Sequence, residues 1–263
     1  MIPKNIDCKA VIVTALICEG SVYMSNYKGY KRAHIKFANA SKKLNRIFAY
    51  CMSQAYDLAP TLYNYAQENI FHTEYSTKQA LDVVEDLHEL TPTFRTSPRL
   101  ETITEYLSSP QPTIQYVLNQ DFNTRNYCLR FAMSCEGAIT FSRKDNGCLR
   151  AALVFGCGNP KLVSEWQALF SHAGISMNLK RDNDIWSGIN GLRTTKIEDL
   201  HRFALLGGFI EDTKVVRGKY FQGIDKNALL NSALDFNKQR PQGYNKWTTP
   251  KVMKYLCRDC RGR

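Results

Sequence analysis

The feature that most constrains the fold is an internal repeat. The segment Ala15-Leu-Ile-Cys18-Glu19-Gly20 recurs as Ala132-Met-Ser-Cys135-Glu136-Gly137, 117 residues further along the chain. The same register then continues over about 60 positions with at most one inserted residue, too long a match for chance. Matching residues include Phe37 with Phe155, Leu44 with Leu162 and Phe48 with Trp166. The chain is therefore expected to form two similar half-domains.

Hydrophobic periodicity predicts the same elements in each copy. The first copy reads as helix 8–19, strands 21–26 and 30–39, helix 41–55, a strand pair at 61–74 and helix 76–89. The second reads as helix 124–136, strands 138–143 and 148–157, helix 159–173, a strand pair at 175–191 and helix 194–208. We predict an α+β fold of duplicated αββαββα half-domains with pseudo-twofold symmetry, each containing an antiparallel sheet.

Four segments follow from this pattern. Residues 1–92 form the first repeat, 93–120 the linker, 121–219 the second repeat and 220–263 a C-terminal helical extension. The stretch 90–120 contains four proline residues, which mark it as a connection between the repeats. One short helix is expected around 100–107. The extension is predicted to hold helices at 227–237 and 249–257, either as a DNA-contacting appendage or as a packing cap.

Charge and composition narrow the partners. The chain has 35 Lys and Arg against 24 Asp and Glu, a net charge of +11 that favours a polyanion such as nucleic acid. A basic surface that serves only solubility is the alternative. No segment is apolar for long enough to span a membrane. Nine scattered cysteines indicate a reduced, intracellular compartment rather than a disulfide framework.

The duplicated helix that ends in an acid and a glycine resembles the LAGLIDADG motif of homing endonucleases. The family nonapeptide aligns with Ile12 to Gly20 and with Leu129 to Gly137, and the resemblance covers about residues 8 to 217. Thr14 and Phe131 stand where the family usually has glycine, and glutamate replaces the commoner aspartate. The resemblance implies a site-specific endonuclease for double-stranded DNA, acting as a monomer whose antiparallel sheets form a DNA-binding saddle.

Physical chemistry explains such a motif. Small residues at Ala15 and Ala132 allow two helices to approach closely, and glycines after the acids are expected to adopt the left-handed conformation. Glu19 and Glu136 would then lie side by side at the negative ends of two helix dipoles, where they repel each other. A hard divalent cation, Mg²⁺ by preference, would offset that charge. A solvated helix-end glutamate is the alternative for either copy alone.

The resemblance also implies basic and polar residues around the reacting water. In the second copy these are Asn159 at the strand-to-helix junction and Lys214 after the last helix. The matching residues of the first copy are Ser41 and Arg95. For Lys214, a solvated lysine in a basic tail is the alternative.

Strand alternation predicts which side chains would meet DNA. One face of residues 31–37 carries Arg32, His34 and Lys36, whereas the other face is apolar. Val22, Met24, Met177 and Leu179 are expected to point inward. The outward residues expected to read base edges are Tyr23, Ser25, Arg32, His34, Lys36, Thr140, Asn178 and Lys180. Arg150 lies on a strand whose outer face is mostly apolar, so the second copy is expected to read fewer bases. Lys28 and Arg143, in loops, are expected to contact phosphates.

Two rival functions share this frame. A non-cleaving DNA-binding regulator, or an RNA-binding maturase that assists splicing of its host intron, would keep the basic saddle but would not need the two acids. Retention of both glutamates favours cleavage. An enzyme for small molecules is disfavoured, because no phosphate-binding glycine loop, nucleophile elbow or metal-ligand cluster is present.

Overall fold

The computed structural model describes residues 3, 5–27, 29–67, 69–143, 149–216, 221–239, 251 and 254. The first half contains α1 (Cys8–Glu19), β1 (Gly20–Tyr27), β2 (Tyr30–Asn39), α2 (Lys42–Tyr56), β3 (Leu62–Gln67), β4 (Ile70–Tyr75) and α3 (Ala80–Leu90). These elements follow the predicted order, and their bounds lie within a few residues of those expected.

The second half repeats the order after a connection that holds two short helices. The connection contains α4 (Ile103–Ser108) and α5 (Gln115–Leu118). The half-domain consists of α6 (Phe122–Glu136), β5 (Gly137–Arg143), β6 (Leu149–Phe155), α7 (Pro160–His172), β7 (Asn178–Arg181), β8 (Ile189–Thr194) and α8 (Ile197–Leu205). A further helix, α9 (Lys226–Gln239), follows, while most of the predicted helix at 249–257 lies outside the described residues.

Each half carries a four-stranded antiparallel sheet with the same topology. The strand orders are β1-β2-β4-β3 and β5-β6-β8-β7, and every described strand pair is antiparallel. The predicted α+β class and the duplication of its half-domains are therefore confirmed.

Helices α1 and α6 pack against each other between the two halves. Residues 10–17 of α1 are all buried, so this helix is apolar on every side, as expected for a central helix. Ala15 and Ala132 are fully buried, as close helix packing requires. At the opposite end from the acids, the Asp7 N–H donates a 3.2 Å hydrogen bond to Thr124 Oγ1 in the first turn of α6.

The two motif glycines have a different role from the one predicted. Gly20 has φ −113° and ψ 175° and Gly137 has φ −93° and ψ 154°, so both are extended rather than left-handed. A Cβ on Gly20 would lie 2.5 Å from the Leu16 Cα, and one on Gly137 would lie 2.5 Å from the Met133 carbonyl oxygen. Glycine is required here because the chain passes directly from helix to strand with no room for a side chain.

The sheets separate a buried face from an outer face. Along β2, Ala33, Ile35 and Phe37 are buried whereas the alternate residues are not, as the sequence predicted. Met24 and Leu179 are corrections, since they are 56% and 39% exposed. Met24 pairs with Ala33, two residues nearer the hairpin turn than the half-buried Val22.

Within the described part of the chain, no helix is long and apolar enough to cross a membrane.

Candidate functional site

The last residues of α1 and α6 bring two acids together. Glu19 ends α1 and Glu136 ends α6, and the side chains of the preceding residues, Cys18 and Cys135, are hydrogen-bonded across the helix pair. Burial raises the pKa of both carboxyl groups above the usual range for glutamate. For Glu136, burial and the nearby charge of Glu19 raise the pKa to about 7. The pair is therefore a site of concentrated negative charge that favours a proton or a cation.

The surroundings of the two acids differ. The Asn39 side-chain amide, at the end of β2, donates a hydrogen bond to Glu19 Oε2, which lowers the pKa of Glu19 against the effect of burial. The matching position of the second repeat is Cys157, which offers no amide donor. Burial raises the pKa of the Cys157 thiol to about 12, so the thiol stays protonated. Asn39 was missed by sequence reasoning because it lies two residues before the predicted polar position.

A pocket of about 280 Å³ opens beside Glu136. Its walls include Gly156, Cys157, Trp166 and, from the linker, Thr96. A Cβ added to Gly156 would lie 3.4 Å from Glu136 Oε2, so glycine at this position leaves space beside the carboxylate. The first repeat has Ala38 at the matching position. The described pocket thus belongs to the Glu136 side of the acid pair.

Lys226, the first residue of α9, is a buried cation near the pair. The residue is 7% exposed, and its ammonium donates 2.8 Å hydrogen bonds to the carbonyl oxygens of Ser134 and Gly137. Its charge lowers the pKa of Glu19 and of Glu136, while burial lowers the pKa of Lys226 itself. Sequence reasoning missed it because it lies outside the repeat, where no matching residue indicates a role.

The donor set suits a hard cation. Among the described residues, no group of three or more His, Cys, Asp or Glu side chains is placed to hold a metal ion. The acid pair offers only carboxylate oxygens, which are typical ligands of Mg²⁺ when waters and substrate phosphates complete the shell. Glu19 and Glu136 could therefore hold such an ion together with a phosphate-bearing partner.

Ser41 and Asn159 each cap a helix, and for Asn159 the neighbouring contacts leave no free group for the predicted role beside a reacting water. Asn159 is fully buried and its Oδ1 accepts from the N–H groups of Lys161 and Leu162 at 3.0 Å each. Its amide donates to the Tyr106 hydroxyl and to Gln111 Oε1, so no hydrogen-bonding capacity is left for a water. Ser41 Oγ accepts weakly from Leu44 N–H at the start of α2.

Lys214 and Arg95, which were also expected beside the reacting water, make different contacts. Lys214 is exposed, and its backbone forms an isolated antiparallel bridge with Asp225. Arg95 forms a 2.8 Å ion pair with Glu101 and lies over the Tyr106 ring, 5.1 Å from its centroid, within the linker. Among the described residues, the lysine whose charge acts on the acids is Lys226 rather than Lys214.

The outer face of the first sheet is polar and aromatic. The strand register places Tyr23 opposite His34 and Ser25 opposite Arg32, on the same face. The rings of Tyr23 and His34 stack at 4.6 Å, and the imidazole is within hydrogen-bond distance of both Ser25 and Ser76 hydroxyls. Lys36 forms a 2.8 Å ion pair with Glu74 on β4. Arg32 is exposed, so this face presents a fixed aromatic group beside a basic one.

The outer face of the second sheet is more apolar. Thr140, Arg150 and Asn178 are exposed and Lys180 is half-buried. Ala152, which pairs with Thr140, is fully buried. Lys28, together with the Arg143 side chain, lies outside the described residues.

The register adds one residue to this second face that sequence reasoning missed. Val154 and Asn178 each pair with Arg193, which places Arg193 at the centre of the outer face. Arg193 lies between the buried residues Leu192 and Thr194, an alternation typical of a strand. It was missed because the predicted strand ended at residue 191.

Solved structures of LAGLIDADG homing endonucleases share the fold of this chain. No protein-family model matches the sequence, and no curated protein matches it either. The meganuclease I-AabMI bound to uncleaved DNA is 11% identical, with TM-score 0.58 over 95% of this chain and 98% of that one. I-GzeII in complex with its DNA target is 11% identical, with TM-score 0.57 over 98% of both chains.

I-DmoI in complex with DNA and Mn is 10% identical, with TM-score 0.50 over 78% of this chain and 97% of that chain. At such low identity the likeness establishes the fold alone. This chain has the two-repeat fold of the LAGLIDADG homing endonucleases, in agreement with the resemblance of its motif.

Proposed function

We propose that this chain is a site-specific endonuclease that hydrolyses phosphodiester bonds of double-stranded DNA with Glu19 and Glu136. The observation that carries the proposal is the acid pair. Each repeat contributes the side-chain carboxyl group of the glutamate that ends its first helix, and the two groups lie close together. The structural neighbours in complex with DNA share the fold that makes this arrangement. Because one chain contributes both acids, a monomer would suffice for one reaction centre.

The two sheets would form the DNA-binding surface. Their outer faces carry the proposed base-reading residues Tyr23, Ser25, Arg32, His34, Lys36, Thr140, Arg150, Asn178 and Lys180. Hydroxyl, amide, imidazole and guanidinium groups can read the distinct edges of base pairs in the major groove. Lys28 and Arg143 are proposed phosphate contacts. The net charge of +11 would draw DNA to this surface and make affinity fall as salt rises.

The chain's own residues would prepare the reaction centre. Glu19 is oriented by the Asn39 amide, and Glu136 opens towards a pocket that could admit water. A divalent cation, Mg²⁺ by its preference for oxygen ligands, would activate water and stabilise the leaving oxygen. Burial of the carboxyl groups excludes bulk water and strengthens their charge interactions. Binding of the DNA phosphates would supply the remaining oxygen ligands.

The test is cleavage of random duplexes, followed by assays on the selected site. Wild-type protein with Mg²⁺ should cut a supercoiled plasmid that carries the site. Glu19→Gln or Glu136→Gln should remove double-strand cleavage while DNA affinity stays within about threefold, because glutamine keeps the shape but loses the charge that a hard cation needs. The double variant should neither cut nor nick. Undiminished cutting by the double variant would show that other residues carry the reaction.

The same experiment separates the rival function. A DNA-binding regulator would bind a selected duplex tightly and leave it intact at every Mg²⁺ concentration. An intron maturase would prefer structured RNA over that duplex. The half-buried acid pair favours cleavage over both, because two adjacent carboxylates are unfavourable in a protein that only binds nucleic acid.

A further inference from the structure

Lys226 delivers a buried positive charge to the helix that carries Glu136. It begins α9 in the segment after the second repeat, and its ammonium donates to the carbonyl oxygens of Ser134 and Gly137. The backbone N–H of Lys226 also donates a 2.9 Å hydrogen bond to the Thr213 carbonyl oxygen, which fixes the lysine backbone. The Phe209 ring closes one side, with its centroid 5.4 Å from the ammonium.

Such a burial needs compensation. Transfer of an ammonium from water to an interior costs several kcal/mol unless nearby negative charge offsets it. Two neutral carbonyl oxygens supply hydrogen bonds but no net charge. The negative end of the α6 dipole and the carboxylates of Glu19 and Glu136 supply the rest. The lysine and the acid pair therefore stabilise each other when no metal is bound.

This cation belongs to one repeat only. In the register that pairs Asn39 with Cys157, the position that matches Lys226 is Ser108, in the linker. The residues of the first repeat that correspond to Ser134 and Gly137 are Ile17 and Gly20. The C-terminal segment thus adds to the Glu136 side a charge that the duplication does not provide.

We propose that Lys226 is a positioning residue of the acid pair, a resident countercharge that holds Glu19 and Glu136 together until a divalent cation and DNA phosphates arrive. The inference rests on the proposed function only in taking the acid pair as the metal site. It assigns the C-terminal extension a part in the site rather than the role of a packing cap.

Metal affinity is the first test, with Lys226→Gln as the main variant. Glutamine can still donate to the two carbonyl oxygens but has no charge. Because the Lys226 ammonium donates to the carbonyl oxygens of Ser134 and Gly137, on either side of Glu136 in the chain, its charge opposes a divalent cation held by the acid pair. Lys226→Gln should therefore bind Mn²⁺ more than about threefold more tightly than wild type in the absence of DNA, as measured by electron paramagnetic resonance. Lys161→Gln, an exposed lysine of α7, is the control with the same change in net charge.

Thermal unfolding in EDTA provides a second readout. Lys226→Gln should lower the melting temperature in the wild-type background and lower it much less in the Glu136→Gln background, because the unpaired negative charge is then reduced. Saturating Mn²⁺ should restore most of the loss. Leu230→Ala, a buried apolar residue of α9, should destabilise both backgrounds equally.

The outcomes are distinct. Equal destabilisation by Lys226→Gln in both backgrounds, with a Mn²⁺ affinity within threefold of wild type, would overturn the countercharge role. If wild type cuts no DNA but the coupling is present, the proposed cleavage fails and the role of Lys226 stands. If Lys226→Gln does not fold, Lys226→Arg, which keeps the charge, should fold and bind Mn²⁺ as wild type does; an unfolded Arg variant would overturn the role.

Discussion

Replacement of Glu136 by glutamine should stabilise the metal-free protein, and the gain should depend on pH. Burial and the Glu19 charge raise the pKa of Glu136 from 4.5 to about 7 in the folded chain. A group whose folded pKa is raised favours the folded state when protonated, so its contribution is lost as pH rises from about 4.5 through 7. The glutamine side chain stays neutral throughout. The difference in unfolding free energy between variant and wild type should therefore grow by roughly 3 kcal/mol between pH 4 and pH 8.

The measurement is urea unfolding in EDTA at several pH values, followed by circular dichroism. Glu89→Gln, an exposed glutamate of α3, is the control and should follow the wild type across the range. A constant difference between Glu136→Gln and wild type from pH 4 to pH 8 would refute the account of a desolvated, repelled carboxylate. The account would also be refuted if the difference in unfolding free energy between Glu89→Gln and wild type grew by the same amount over this pH range.

Two further predictions concern DNA recognition and the first acid. Arg32→Ala should lower affinity for the selected duplex by about 1 to 3 kcal/mol and relax preference at one base pair, measured by competition with single-base variants; an equal loss for all sequences would make Arg32 a phosphate contact. Asn39→Leu removes the amide that lowers the pKa of Glu19, so the pH at half-maximal cleavage should rise. An unchanged pH profile would show that Asn39 does not act on the reaction.

The sequence predicted the fold because its repeat, strand alternation and helix periodicity all indicate one arrangement. Glu19 and Glu136 could be paired from their shared register alone. The glycines after them were identified as necessary for the wrong reason: steric exclusion, rather than positive φ, requires Gly20 and Gly137. Local sequence cannot distinguish these causes, because both select the residue without a side chain.

The surroundings of the acids were harder to predict, since they depend on side-chain direction and on segments outside the repeat. Asn159 was expected beside a water, but its amide was already required to cap α7 and join the linker. Asn39, two positions before the matching Ser41, contacts the acid instead. Lys226 reaches the site from 90 residues beyond Glu136, and no pattern in the sequence links the two.

The central claim is that Glu19 and Glu136 jointly hold one divalent cation against bound DNA. Crystals of the wild-type protein with its selected duplex and Mn²⁺ test it most directly, because anomalous scattering locates the ion independently of any assay. The account predicts a peak within about 2.5 Å of carboxylate oxygens from both residues, with both sheets facing the DNA. A Mn²⁺ ion that contacts neither carboxylate, or DNA bound on a surface other than the two sheets, would contradict it.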